Sequence, residues 1–141
     1  MSDSIINADN APDPVGAYPH ARRVGDLLFL SGVGSRIPHT NEIPGGPIVD
    51  ESGGALNYDV AAQTEQVVVN IKAVLTASGL SLSDVVDVTA YLIDMDRDFS
   101  AYNEVYNKHF AGIQAARTTL SIRDLPTPIA VEFKVVAAFS E

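Results

Sequence analysis

The last strand predicted in the chain places the strongest constraint on its fold. Residues 129–139 carry apolar side chains at odd and even positions alike, namely Val131, Phe133, Val135, Val136, Ala137, Ala138 and Phe139. Successive side chains of a strand point to opposite faces, so both faces of this strand are apolar. One domain, residues 1–141, is expected from the length of the chain. We therefore expect an oligomer, in which another copy covers the second face of the sheet.

Hydrophobic periodicity predicts an α+β domain with the element order β β α β α β β and both helices on one face of the sheet. Strands are predicted at residues 21–24, 27–31, 84–93, 116–122 and 129–139, and helices at 58–78 and about 99–110. The run Leu27–Leu30 is apolar on both faces, which predicts a buried strand rather than an edge strand. Residues 1–14 contain two prolines and are expected to form an extended arm.

Composition excludes several classes of function. The net charge of −9 and the pI near 4.6 argue against nucleic acid or an anionic membrane as a main partner. The chain has no cysteine, which excludes disulfides, thiolate metal sites and cysteine nucleophiles. His20, His39 and His109 lack metal-ligand spacing, so no metal is expected. No stretch has the ~18 apolar residues of a membrane span and no targeting segment is visible, so we expect a soluble, cytoplasmic protein.

A long loop is predicted at residues 36–57, which contain Pro38, Pro44 and two Gly-Gly pairs. Loops of this length in a small domain are often lids or binding loops. A disordered insertion is the alternative, and the sequence leaves both readings open.

The charged run Asp94–Asp98 has four charges in five residues. It lacks the order of a calcium-binding loop and the terminal glutamate of such a loop. A solvated turn that leads into the second helix is therefore the favoured reading.

Alternation in the segment 116–122 separates two faces of a strand. Arg117, Thr119 and Ser121 share one face. A planar guanidinium among small hydroxyls is suited to bind both oxygens of a carboxylate. The alternative is an arginine that pairs with a structural acid or is simply solvated.

Motifs along nearly the whole chain resemble the RidA/YjgF family. The C-terminal signature is matched by Ala115-Ala116-Arg117-Thr118, Leu125-Pro126 and Val131-Glu132-Phe133. The N-terminal signature is matched by Gly16-Ala17-Tyr18 and by the run from Val24 to Gly32. The resemblance implies a chorismate-mutase-like fold and a homotrimer around a central barrel, with three clefts between subunits.

The resemblance also implies a reaction that needs no cofactor. Arg117 would bind the carboxylate of a small 2-imino or 2-amino-2-alkenoic acid, water would attack the C=N carbon, and ammonia would leave. Glu132, expected on the neighbouring strand, would orient or deprotonate the water, or shuttle its proton. Tyr18, Ser31 and Asn103 match pocket positions of the family that supply hydrogen bonds.

Each of these residues has a structural alternative. Glu132 is then an ion-pair partner, for example of Arg117, and Tyr18 is a core residue with a hydrated hydroxyl. Ser31 is then a turn residue at a strand end, and Asn103 faces solvent.

Departures from the usual family pattern suggest a branch. Ala115 and Thr118 stand where many members have proline and serine. The segments Tyr18–Arg23 and Thr127–Ala130 resemble bacterial 2-aminomuconate deaminases of aromatic catabolism. The implied reaction converts 2-aminomuconate and water to 4-oxalocrotonate and ammonia.

A dicarboxylate needs a second cation, for which the candidates are His20, Arg22, Arg23, Arg36 and His39.

The competing readings of the function are a generic deaminase of 2-aminoacrylate-type imines and a non-catalytic ligand-binding protein. Some family members were described as endoribonucleases, and the acidic composition argues against that activity here.

Overall fold

A six-stranded sheet with two helices on one face forms the domain in the computed structural model, which describes residues 3–140. The strands are β1 Ser4–Ile6, β2 Ala21–Val24, β3 Leu27–Leu30, β4 Val85–Leu92, β5 Ala116–Ser121 and β6 Val131–Ala138, and the helices are α1 Val60–Ala77 and α2 Met95–Phe110. The predicted α+β architecture is confirmed.

The order of strands across the sheet is β1-β2-β3-β6-β4-β5. Only β4 and β5 are parallel, and α2 makes the crossover that a parallel pair requires. The last strand, β6, lies between β3 and β4, as its apolar character predicts. The predicted arm at residues 1–14 is corrected in part, because Ser4–Ile6 pairs with β2 as an edge strand.

Local signals explain where the helices begin and end. The Asp59 carboxylate accepts from the backbone N–H of Ala62 at 3.2 Å, which caps α1. After Ser78, Gly79 has a φ of 79°, a conformation that favours glycine. Asp94 caps α2 through the N–H of Arg97 at 3.1 Å, so this helix begins four residues before the predicted Phe99.

The core lies between the helices and one face of the sheet. Leu28, Val131 and Phe133 from the sheet are fully buried, as are Ile71 and Tyr102 from the helices. Since neither α1 nor α2 packs on the opposite face, we call it the open face.

Apolar side chains remain on the open face of the described chain. Leu27 and Phe29 of β3 are each 39% exposed and Leu120 of β5 is 44% exposed. The interior position of β3 is confirmed, but its full burial is wrong for a single chain. The expectation that β6 is apolar on both faces is also corrected, because Glu132 and Lys134 lie on the open face, where the Lys134 ammonium donates to the carbonyl of Leu30.

The loop at residues 36–57 has a defined path and packs on the domain. The Ile48 N–H donates to the carbonyl of Pro128 at 3.0 Å, and the Asp59 N–H donates to the carbonyl of Gly45 at 3.0 Å. A bridge between Val49 and Ala55 closes its second half. Within residues 3–140, neither helix has the length and apolar character to cross a membrane.

The charged turn 94–98 is only partly solvated. Asp98 is 1% exposed, so the favoured reading is wrong for this residue. Its carboxylate accepts from the Tyr58 hydroxyl at 2.6 Å and from the Arg97 guanidinium at 2.6 Å. Burial and the hydrogen bond to Asp98 raise the pKa of Tyr58 to about 12. This cluster fastens the end of the long loop to the start of α2.

Candidate functional site

Arg117 lies at the sheet edge, on the face that carries the helices. It is in register with Val88, which is fully buried under the helices. Its guanidinium donates to the Asn103 side-chain carbonyl at 2.7 Å, and its central carbon lies 4.6 Å from the centre of the Tyr106 ring. Asn103 is therefore a partner of Arg117 and does not simply face solvent.

Tyr102 and Thr119 complete this set of residues, which we call the arginine group: Tyr102, Asn103, Tyr106, Arg117 and Thr119. The hydroxyls of Tyr102 and Thr119 are 2.9 Å apart. Burial raises the pKa of both Tyr102 and Tyr106, so the two phenols stay protonated at neutral pH.

Arg117 is available to bind an anion. A guanidinium has five N–H donors, and within residues 3–140 the single hydrogen-bond partner of this one is Asn103. No carboxylate in that part of the chain lies within ion-pair distance of Arg117, so Arg117 forms no structural ion pair there. The tyrosine rings orient the cation and leave its remaining donors free for a carboxylate.

Glu132 lines a cleft on the other side of the sheet. This cleft, of about 110 Å³, is lined by Val15, Tyr18, Gly32, Gly34, Arg36, Pro126, Thr127, Ile129 and Glu132. We call it the glutamate cleft. Burial raises the pKa of Glu132, and in residues 3–140 its carboxylate has no hydrogen-bond or ion-pair partner. A carboxylate with a raised pKa accepts a proton more readily than an ordinary carboxylate does, which suits it to proton transfer.

Gly32 makes room for this carboxylate. A Cβ atom at residue 32 would lie 2.5 Å from Glu132 Oε2 and 3.0 Å from its Cδ. The absence of a side chain at Gly32 therefore allows the Glu132 carboxylate to approach the backbone closely.

Tyr18 and Ser31 adjoin the glutamate cleft. Tyr18 is 42% exposed, so it is not a core residue, and its hydroxyl accepts from the Val15 N–H at 3.2 Å. The Ser31 hydroxyl donates to the carbonyl of Pro19 at 2.7 Å. Ser31 and Tyr18 both line a smaller cavity of about 50 Å³ beside the cleft.

The expectation that Glu132 is on the strand next to Arg117 is wrong. β4 lies between their strands. Glu132 is in register with Tyr91, whereas Arg117 is in register with Val88, three residues earlier. An odd separation along β4 places the two side chains on opposite faces. Glu132 is therefore not the ion-pair partner of Arg117 in the same chain.

The five candidates for a second cation differ in their partners and in whether they line the glutamate cleft. Both ring nitrogens of His20 are engaged, with the N–H of Ala8 and the carbonyl of Pro12, each at 2.8 Å. Arg23 donates to the carbonyl of Gly25 and lies over the Phe139 ring. Arg22 and His39 are exposed and do not line the cleft. Arg36 alone among the five lines the glutamate cleft.

Sequence reasoning missed the role of the α2 tyrosines beside Arg117. The spacing of four residues between Tyr102 and Tyr106 indicates a shared buried face of α2 and gives no sign of a contact with Arg117. The signal that could have found them is Asn103, which follows Tyr102 directly and was already a candidate. Among residues 3–140, no group of three or more His, Asp or Glu side chains is arranged to hold a metal ion.

An α+β sheet with a free arginine at one edge and a half-buried carboxyl on its opposite face defines a domain suited to bind small carboxylates. Residues 8–139 match the family model described as Endoribonuclease L-PSP. The chain belongs to this family, the RidA/YjgF family that its motifs indicated.

Relatives and solved structures agree with this assignment. A RutC family protein of Pyrococcus horikoshii is 40% identical and covers 94% of this chain and 95% of its own length. A 2-iminobutanoate/2-iminopropanoate deaminase of Dermatophagoides farinae is 36% identical, with 94% and 93% covered. The crystal structure of Escherichia coli TdcF with bound serine superposes with a TM-score of 0.81 at 31% identity, covering 97% of this chain and 99% of that chain.

Proposed function

We propose that this protein hydrolyses 2-imino acids, or their 2-amino-2-alkenoate tautomers, to 2-oxo acids and ammonia without a cofactor. The observation that carries the proposal is the free guanidinium of Arg117, held by Asn103 and two tyrosine rings. Its planar donors match the carboxylate that every 2-imino acid has. The name of the Dermatophagoides farinae relative supports the same chemistry.

In the proposed mechanism, Arg117 fixes the substrate carboxylate and so orients the adjacent C=N bond. The protonated imine carbon is electrophilic. Water adds to this carbon and gives up a proton to Glu132. Glu132 passes this proton to the nitrogen, and the C–N bond breaks as the hydroxyl proton moves to Glu132, which releases ammonia and a 2-oxo acid. Ammonia or water then takes the proton from Glu132, which is ionised again for the next turnover. The raised pKa of Glu132 suits the first transfer, because it makes the carboxylate a stronger proton acceptor than an ordinary glutamate. Tyr18 and Ser31 supply hydrogen bonds to the substrate or water.

We propose that the catalytic site forms between copies of the chain in a homotrimer. The arginine group and the glutamate cleft lie on opposite faces of one sheet, so residues of both sets meet only when a second copy packs on the first. Apolar side chains on the open face, including Phe29 and Leu120, support such packing.

Subunit mixing tests the shared site. Arg117→Ala and Glu132→Gln are each expected to lose activity by roughly 100-fold or more. When the two variants are unfolded together and refolded, about a quarter of the clefts would combine an intact Arg117 with an intact Glu132. We expect ammonia release to recover to about that fraction. Mixtures that stay inactive, although mass measurements show mixed oligomers, would contradict a shared site.

We further propose 2-aminomuconate as the substrate, converted to 4-oxalocrotonate and ammonia. Support comes from the packed loop at residues 36–57 and from the Tyr18–Arg23 and Thr127–Ala130 segments. Small imines such as 2-iminobutanoate are the alternative, supported by the name of the relative. Ammonia release from each substrate, with Arg117→Ala alongside, separates these proposals. If neither substrate reacts and Arg117→Ala behaves as the parent, a non-catalytic binding protein is the better description.

The description of the family model names an endoribonuclease. The net charge of −9 opposes binding to a polyanion. We expect no binding to single-stranded RNA at low salt, as measured by fluorescence anisotropy.

A further inference from the structure

Arg36 lies on a segment of backbone that buried amides hold in place. The Asn70 side-chain N–H donates to the carbonyl of Gly34 at 2.9 Å and to the carbonyl of Arg36 at 2.8 Å. The Ser35 hydroxyl donates to the Gln63 side-chain carbonyl at 3.1 Å. Asn70, Ser35 and Gln63 are fully buried. The backbone of Arg36 is therefore fixed at the wall of the glutamate cleft before any ligand binds.

The guanidinium of Arg36 is oriented and keeps its charge unpaired. It donates to the Asn41 side-chain carbonyl at 2.9 Å and to the carbonyl of Asp13 at 2.7 Å, both neutral acceptors. Among residues 3–140, Arg36 has no carboxylate within ion-pair distance. Two of the five N–H donors of a guanidinium are thus used, and three remain for a ligand.

The long loop supplies the partner that orients this cation. The Ile37 N–H donates to the carbonyl of Glu42 at 2.7 Å, and the Asn41 N–H donates to the carbonyl of Ile37 at 2.9 Å. Asn41 has a φ of 61° in this tight turn. Asparagine adopts this backbone conformation more readily than most residues, so the turn delivers an amide oxygen to Arg36 at low cost.

We propose that Arg36 binds a second carboxylate of the substrate, so that the preferred substrates are 2-imino dicarboxylates. The inference deepens the proposed function and rests on it, with Arg117 of a second copy holding the carboxylate next to the imine. Within one chain, Arg36 and Glu132 line the same cleft. A monocarboxylate would leave the three free donors of Arg36 without a ligand group, which favours a dicarboxylate in binding.

The test compares two stable ligands that differ in one group. Hexa-2,4-dienedioate has a carboxylate at both ends, and hexa-2,4-dienoate has a methyl group in place of one. Their affinities for the full-length protein are measured by calorimetry. The parent is expected to prefer the dienedioate. Arg36→Gln is expected to weaken dienedioate binding by roughly 10- to 100-fold and to leave dienoate binding unchanged.

Matched variants separate this role from effects on folding or net charge. Lys72→Gln removes the same charge from an exposed position on α1 and is expected to change neither affinity. Arg36→Lys keeps the charge without the planar fork and is expected to give an intermediate loss. An unchanged preference in Arg36→Gln, an equal loss for both ligands, or a parent without a preference would each overturn the proposal.

Failure of the proposed function has a different outcome. If the parent releases ammonia from 2-iminobutanoate but does not prefer the dienedioate, the proposed deaminase activity stands and the role proposed for Arg36 is wrong. If the parent releases no ammonia from any imine, the proposed function is wrong. A preference for the dienedioate that depends on Arg36 would then show only that Arg36 binds a carboxylate.

Discussion

Glu132 gives the proposed reaction a defined pH dependence. Its carboxyl group has a pKa raised above the usual 4.5 by burial, and it accepts a proton from water only when ionised. We expect kcat/KM to fall as the pH is lowered through this raised pKa, so the acid limb lies above pH 4.5. Glu132→Gln is expected to lower activity and to remove this limb. A pH profile of ammonia release at constant ionic strength makes the measurement, and a limb that persists in the variant would assign it to another group.

The same group predicts a pH-dependent stability. Its pKa is higher in the folded chain than in the unfolded chain, so the folded state binds the proton more tightly in the interval between the two values. The free energy of unfolding is therefore expected to decrease as the pH rises through that interval. Glu132→Gln is expected to flatten the decrease, measured by urea unfolding between pH 4 and pH 8. An unchanged slope in the variant would show that Glu132 is not the group responsible.

At the scale of elements, Asp98 joins the long loop to α2. Replacing Asp98 with alanine leaves the Arg97 guanidinium and the Tyr58 hydroxyl without their shared partner. We expect a loss of roughly 2–4 kcal/mol in the free energy of unfolding, measured by urea titration.

Asp96→Ala is the matched control for this prediction. Asp96 is exposed in the same first turn of α2, so its loss is expected to cost only about 0.5 kcal/mol. Equal costs for the two variants would mean that the buried carboxylate contributes no more than a helix-end charge does.

The sequence predicted the positions of the helices and strands well, but it predicted less well which residues and strands lie next to each other in the fold. Periodicity located both helices and five of the six strands to within a few residues, because the spacing of apolar residues within an element shows which of its faces is buried. Asp98 was misread because its partner Tyr58 lies forty residues away along the chain. The prediction that Arg117 and Glu132 lie on neighbouring strands was wrong for the same reason. The residues of β5 and β6 do not indicate that β4 lies between these two strands.

At the scale of the whole molecule, the open face is the surface on which a single chain leaves apolar side chains exposed. Phe29→Lys places a charge among its apolar side chains and is expected to prevent assembly of the proposed trimer. Light scattering should then report the mass of a single chain, and ammonia release should be lost.

Val69→Lys is the control for the open face. Val69 is 53% exposed on α1, away from the sheet, so the same substitution there is expected to keep both mass and activity. A Phe29→Lys protein with the mass and activity of the parent would move the interface to another surface.

The position of Arg117 and Glu132 on opposite faces of one sheet has a consequence for how activity depends on dilution. Each chain carries every proposed catalytic side chain, yet no rearrangement of side chains alone brings the two together through a sheet. If the catalytic site is shared between copies as proposed, specific activity measures association and decreases when the protein is diluted enough for the subunits to separate. For the same reason, a damaged chain incorporated into an assembly would disable clefts that it shares with intact neighbours, so a minority of defective copies would cost more activity than their number.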